Sequence, residues 1–259
     1  MPPRSPAAPT APAVHRWTAS DGTELAWHEV GEGRAVILLH GLFSDAAMNW
    51  INFGHADRIA ATGRRVIMPD LRAHGLSGKP HSPDAYPHAI LVRDLNELIA
   101  HLELADFDLG GFSLGARTVV QAVGEGLRPG KAVLAGMGLR GLQNWGKRQA
   151  FFRDAIAHFD TSARGDPHWL AIQFMKTMKV DRVAVGHVLS SFSDMAPQWL
   201  EAFSMPTLVV CGSEDEDNGS AKELAEALPD ARFAEVPGTH MSSVTKPELG
   251  EEIAAFLKG

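Results

Sequence analysis

Short apolar runs that alternate with amphipathic, helix-like segments constrain this chain more than any other feature. TELAWHEV (23–30), RAVILLH (34–40), RRVIMPD (64–70), ADFDLGGF (105–112), KAVLAG (131–136), PTLVVCG (206–212) and ARFAEVP (231–237) read as strands. The first alternates like a strand buried on one face, whereas RAVILLH is apolar nearly throughout, as a strand covered on both faces must be. Helices are expected between them, at about 53–62, 87–101, 114–125, 219–228 and 247–258. Ser220 with Glu223 gives the fourth a capping-box start. This alternation specifies an α/β fold, a mostly parallel central sheet with helices on both faces.

Residues 140–200 break the rhythm. They read mainly as helix and concentrate large apolar side chains, among them Trp145, Phe152, Phe159, Trp169, Phe174, Met175, Phe192 and Trp199. Because the segment lies between two strands, it is expected to be an inserted helical lid over the sheet, not a separate domain. The expected organisation is a disordered Pro/Ala-rich tail (1–13), a core formed by 14–139 and 201–259, and a lid at 140–200. A chain of 259 residues with 45% hydrophobic content is long enough to bury such a core.

Composition narrows the partners. A net charge of −7 with no basic tract argues against nucleic acid. The opening MPPRSPAAPTAPAV has no continuous apolar stretch, so neither a signal peptide nor a membrane anchor is expected. Cys211 is the only cysteine and has no partner for an internal disulfide; no Cys/His cluster has structural-zinc spacing. A cytoplasmic protein without metal is the resulting expectation. Nothing in the sequence indicates an oligomeric state.

The stretch FDLGGFSLGARTVV (107–120) carries the chemistry. An apolar strand runs into paired glycines, then Ser113, then Gly115 and a helix. With 25 Gly and 15 Ser among 259 residues, a bare Gly-x-Ser-x-Gly arises by chance about one time in seven. Its position at a strand-to-helix turn is more informative, because a tight turn there can present a serine in a strained conformation, beside the amide donors of the following helix. An ordinary helix N-cap serine is the plain alternative.

Other segments fit the first reading. GFSLG (111–115), HGLF (40–43), DLRAHGLSG (70–78), LVVCGSEDED (208–217) and VPGTHM (236–241) together resemble the motifs of serine α/β-hydrolases of the esterase and lipase kind, in the family's Ser, Asp, His order. The resemblance covers essentially the whole chain after the tail. It implies Ser113 as nucleophile, His240 as base, and oxyanion donors from the backbone amides of Leu42 and Leu114. Asp215 stands at the position of the family's acid, with Glu214, Asp217 and Glu216 as alternatives in that order. His40, Asp70, Arg72 and His74 are expected to steady loops at the site, and Cys211 to be a small core residue.

A serine hydroxyl needs a base to attack at neutral pH, and imidazole, with a pKa of roughly 6.5, can take its proton and return it to a leaving group. The reaction asking least beyond these residues is hydrolysis of a carboxylic ester, lactone or thioester of a small apolar substrate, without a cofactor. Phe43 and Trp145 are expected to touch that substrate, and Trp50 to be either core or pocket wall. Perhydrolase or haloperoxidase chemistry and carbon–carbon hydrolysis use the same three residues. A noncatalytic ligand-binding receptor of this fold is a further alternative. Dehalogenases and epoxide hydrolases of this fold carry aspartate where Ser113 stands, which disfavours them.

Overall fold

The computed structural model describes residues 12–258. In chain order its elements are β1 (Ala13–Thr18), β2 (Glu24–Val30), β3 (Arg34–Leu39), α1 (His55–Ala60), β4 (Arg64–Asp70), α2 (Ile90–His101), β5 (Phe107–Phe112), α3 (Leu114–Gly124) and β6 (Ala132–Ala135). They continue with α4 (Trp145–Ala157), α5 (Trp169–Thr177), α6 (Arg182–Ser190), β7 (Thr207–Gly212), α7 (Ala221–Glu226), β8 (Ala231–Val236) and α8 (Pro247–Lys258). The eight strands form one sheet in the order β1-β2-β4-β3-β5-β6-β7-β8. Both pairings of β2 are antiparallel, and every pairing from β4 to β8 is parallel.

Strand periodicity explains the two layers. Along β3, Val36 and Leu38 enter one core with Ile59 of α1 and Leu249, Ile253 and Leu257 of α8. Ile37 and Leu39 enter the other, with Leu91, Leu95 and Leu98 of α2, Val119 and Val123 of α3, and Leu224 of α7. Successive side chains point to opposite faces, so a strand between two helical layers must be apolar at every position. Each fully buried aliphatic side chain stabilises the fold by about 1.5–3 kcal/mol. On α8 the buried positions recur every four residues, the spacing of one helical face. Ser220 caps α7 as expected, its hydroxyl accepting from the Glu223 amide at 3.1 Å.

The sequence reading needs correction at its start. Residues 1–11 of the expected tail lie outside the described residues, but Ala13 already belongs to β1, which runs antiparallel to β2 along the sheet edge. Only Trp17 of that strand is buried, so AVHRWT carries almost no alternation to read. Trp50 is core, packed in the cluster on the α1 and α8 face.

Between β6 and β7 the chain is helical, with short turns at Leu139–Leu142 and Pro197–Ala202 flanking α4 to α6. These helices have a small core of their own, in which Ala155, Ile172, Met175 and Val185 pack around Phe43. No helix among the described residues is long and apolar enough to cross a membrane.

Candidate active site

β3 has β4 on one side and β5 on the other, so the connections leaving its carboxyl end diverge and open a crevice there. Ser113 stands in that crevice, one residue beyond β5. Its backbone has φ 54° and ψ −108°, a left-handed conformation that costs a non-glycine residue on the order of 1–3 kcal/mol. The turn is held by the Ser113 amide, which donates to the Ala135 carbonyl at 2.8 Å. The flanking glycines serve close packing: a Cβ on Gly111 would lie 2.3 Å from the Gly115 carbonyl carbon, and one on Gly115 would lie 2.3 Å from the Leu39 oxygen. Without side chains at both places, α3 can approach β3 and β5 closely enough for the sharp turn.

Two loops converge on the serine. The loop after β7 delivers Asp215 and the loop after β8 delivers His240. The Nε2 of His240 lies 3.0 Å from Ser113 Oγ, and its Nδ1 lies 2.8 Å from Asp215 Oδ2. A carboxylate can only accept, so Nδ1 carries the ring proton and Nε2 is left to accept from the serine. Of the four acidic residues in that loop, Asp215 alone makes this bond. Burial pushes its carboxyl up, but bonds from His240, the Cys211 thiol and the Asp217 amide outweigh that and hold it below its usual range. The Cys211 thiol donates to Asp215 Oδ2 at 3.3 Å, so this cysteine, expected to be core filler, also touches the acid. Asp215, Asp217 and His240 place three metal-capable atoms within 4.8 Å of one another, but the facing atoms of Asp215 and His240 are committed to their mutual bond.

On the other side of Ser113, the loop after β3 is fixed by neutral histidines. His40 Nδ1 donates to the Gly41 carbonyl and its Nε2 accepts from the Leu71 amide, at 2.8 and 2.9 Å. His74 Nδ1 donates to the Arg72 carbonyl, and its Nε2 accepts from the Phe43 amide at 3.2 Å. Each ring therefore needs one bare nitrogen. Burial pushes both rings' pKa values down, that of His74 to about 3, with His40 nearby adding to the effect. Asp70 accepts from the Ala46 and Leu76 amides, and the fully buried Arg72 forms a two-pronged pair with Asp94. These residues hold loops, as expected from the sequence. The loop they hold leaves the Leu42 amide without a hydrogen-bond partner among the described residues; the Leu114 amide, first in α3, is likewise unpaired. Both are thus available to a ligand oxygen.

Residues of α4 line one side of this arrangement. Ser113 keeps only 9% of its surface exposed, so the hydroxyl opens into a narrow cleft. Leu42, Met137, Trp145 and Phe152 supply its apolar wall. Trp145, expected to touch substrate, lies in this wall. Phe43, given the same expectation, is not among the residues lining the cleft: it lies edge-on to Phe152 with ring centres 5.5 Å apart and packs in the helical segment's own core. A left-handed φ of 62° at Phe43 turns the chain at this point, a backbone feature with no sequence signal in a non-glycine residue.

Three polar residues that the sequence reading passed over also line the cleft: Arg117, Arg148 and Asn218. Arg117 had a usable signal, because it follows Ser113 by four residues in a helix and so lies on the same face, one turn on. Arg148, in α4, and Asn218, in the loop after β7, come from distant parts of the chain and had none.

A family model for the alpha/beta hydrolase fold matches residues 34–169, and the chain belongs to that family. A non-heme haloperoxidase from Rhodococcus erythropolis is 38% identical over 127 residues, spanning 46% of this chain and 42% of that protein. The match thus extends over less than half of that relative's length. A putative non-heme chloroperoxidase from Synechocystis is 26% identical over 248 residues, spanning 83% of this chain and 87% of the relative. Among solved structures, an esterase from Exiguobacterium antarcticum superimposes with a TM-score of 0.77 at 20% identity, over 94% of this chain and 99% of the other. Likeness at that identity is a likeness of fold.

Proposed function

We propose that this chain is a serine hydrolase that cleaves carboxylic esters of small substrates through an acyl-enzyme, with the helical segment 140–200 as its lid. The observation that carries the reading is the unbroken line from Asp215 Oδ2 to His240 to Ser113 Oγ, at 2.8 and 3.0 Å, beside two unpaired amides.

In this mechanism Ser113 Oγ attacks the ester carbonyl while His240 Nε2 takes its proton. The negative charge that develops on the carbonyl oxygen is met by the Leu42 and Leu114 amides, whose orientation is set before substrate arrives. Asp215 stays ionised, keeps the imidazole in the tautomer that can accept, and stabilises the imidazolium that forms. His240 then returns the proton to the departing alcohol. Water, deprotonated by the same nitrogen, attacks the acyl-serine, releases the acid and restores Ser113. No step calls for a cofactor.

Steady-state and burst hydrolysis of p-nitrophenyl esters tests the reading. Wild-type protein is expected to turn over short-chain esters, and Ser113→Ala or His240→Ala to lose roughly 10⁴-fold or more in kcat without a change in melting temperature. Equal turnover in wild type and Ser113→Ala would overturn it.

The haloperoxidase names of two relatives favour a second reading of the same site. Hydrogen peroxide would replace water in attacking the acyl-serine, giving a peracid and regenerating Ser113. Peracid formation from acetate and peroxide, lost in Ser113→Ala, would support it; hydrolysis without peracid would leave the esterase reading.

A further inference from the structure

Arg117 and Arg148 stand out among the arginines of this protein. Arg72, buried like Arg117, is neutralised by Asp94 and Asp21, and Arg64 is paired with Asp108. Arg117 and Arg148 form no ion pair with a carboxylate among the described residues, although both line the cleft that contains Ser113. Arg117 donates to the Gly141 carbonyl at 2.9 Å and to the Ser193 carbonyl, and its guanidinium lies 4.6 Å from the centre of the Trp145 ring. Arg148 donates to the Asp217 carbonyl at 3.0 Å and stacks near Phe152. Carbonyl oxygens and aromatic faces orient a guanidinium but bring no formal negative charge to it, a costly state in a narrow cleft. Burial accordingly pulls the pKa of Arg117 down to about 10 and lowers that of Arg148 as well, with Asp194 and Asp217 only partly offsetting it.

The same cleft holds an unused acceptor. Asn218 keeps 1% of its surface exposed and donates through Nδ2 to the Gly136 carbonyl at 2.7 Å, which fixes the amide's orientation. Its Oδ1 is buried without a partner. Two cations without an ion-pair partner among the described residues and an orphan acceptor make the polar end of this cleft a poor place for a hydrocarbon chain and a prepared one for a charged, hydrogen-bonding group.

We infer that the substrate carries a carboxylate, held by Arg148 and Arg117, so that the enzyme acts on monoesters of dicarboxylic acids or similarly anionic esters in preference to neutral ones. This rests on the hydrolase reading for the word substrate, but the anion site itself does not. Leu42, Met137, Trp145 and Phe152 then contact the carbon chain between the carboxylate and the reacting carbonyl. A guanidinium offers the fork that a carboxylate accepts in two places, and charge-assisted bonds of this kind discriminate by roughly ten- to a hundredfold.

The test compares monomethyl esters of succinic, glutaric and adipic acids with methyl esters of the monocarboxylic acids of equal chain length, followed by proton release. At least one dicarboxylic monoester is expected to exceed its neutral counterpart at least tenfold in kcat/KM, with the advantage shrinking as salt rises. Arg148→Gln is expected to remove most of that ratio through KM, and Arg148→Lys to restore part of it. Calorimetric titration of Ser113→Ala with adipate separates the two claims: adipate should bind, and Arg148→Gln in that background should weaken it at least tenfold. Turnover confined to neutral esters, with no adipate binding, would overturn the anion site and leave the hydrolase. Adipate binding sensitive to Arg148, in a protein without Ser113-dependent turnover, would uphold the site and overturn the hydrolase.

Discussion

At the carboxyl end of the sheet, Ser113 and the loop after β3 are fixed by main-chain bonds, strand register and two neutral imidazoles. The helical segment above them is tied by main-chain bonds mainly near its ends, at Gly141 and Ser191, and otherwise through side chains such as Arg117, Arg148 and Phe152. Its own core is small. A region built the first way holds reacting atoms within tenths of an ångström, whereas one built the second way can change its lining residues without disturbing the sheet. The proposed chemistry belongs to the first region and the proposed choice of substrate to the second.

Substitution of the acid tests the first half of this contrast most severely. Asp215→Asn should lower kcat by about 10³- to 10⁴-fold with little loss of stability, because the amide would stabilise the wrong imidazole tautomer. Asp217→Asn should cost less than tenfold, since Asp217 serves Asp215 and Arg148 through its main-chain amide and carbonyl. Near-normal turnover in the first variant with collapse in the second would transfer the acid role.

Acidification should loosen the sheet-end loops. His40, His55 and His74 all have folded pKa values pushed down by burial. Below about pH 6.5 the unfolded chain takes up protons that the folded one refuses, so stability falls as pH falls. Each ring contributes about 1.4 kcal/mol per pH unit until its own folded value is reached, about 3 for His74. Urea unfolding between pH 7 and 5 measures the slope; a flat profile would mean that these rings bind protons in the folded state. Asp70, whose carboxyl is held low, adds a loss of the same sign only below its ordinary range near 3.8.

Met175→Ala addresses the helical segment. The side chain is fully buried in the segment's own core, and its removal should destabilise that core by about 2–5 kcal/mol. If the two regions are separable, hydrogen exchange will quicken across 145–190 while β3, β5 and β7 keep their protection. Equal loss of protection throughout would show that the two regions unfold as one. The smallest effect is expected at Cys211. Cys211→Ala removes one of several donors to Asp215, so kcat should fall less than tenfold; a hundredfold loss would make the thiol essential to the acid's position.

Much of the molecule was legible before folding. Seven of the eight strands and the helices flanking the sheet follow from periodicity, because a strand covered on both faces must be apolar along its length; the glycines around Ser113 mark a sharp strand-to-helix turn, and the order Ser113, Asp215, His240 comes from the resemblance to serine α/β-hydrolases. The edge strand β1 escaped, since a strand with one buried residue leaves no pattern. Asp215 is singled out among four acids by its place in the resemblance and it is the one that meets His240; periodicity could not have chosen it, because side-chain direction in a loop depends on what the loop packs against.

What the sequence determined by itself is therefore the layered fold and the kinds of group that meet at its carboxyl edge. Only tertiary structure decided that Phe43 faces the helical core instead of the cleft, that Cys211 reaches Asp215, and that Arg148 and Asn218 line the cleft with the serine. Periodicity records the environment each residue shares with its neighbours along the chain; the cleft is assembled from separate segments that run from Leu42 to Asn218, whose meeting is fixed by the packing of layers and leaves no local trace.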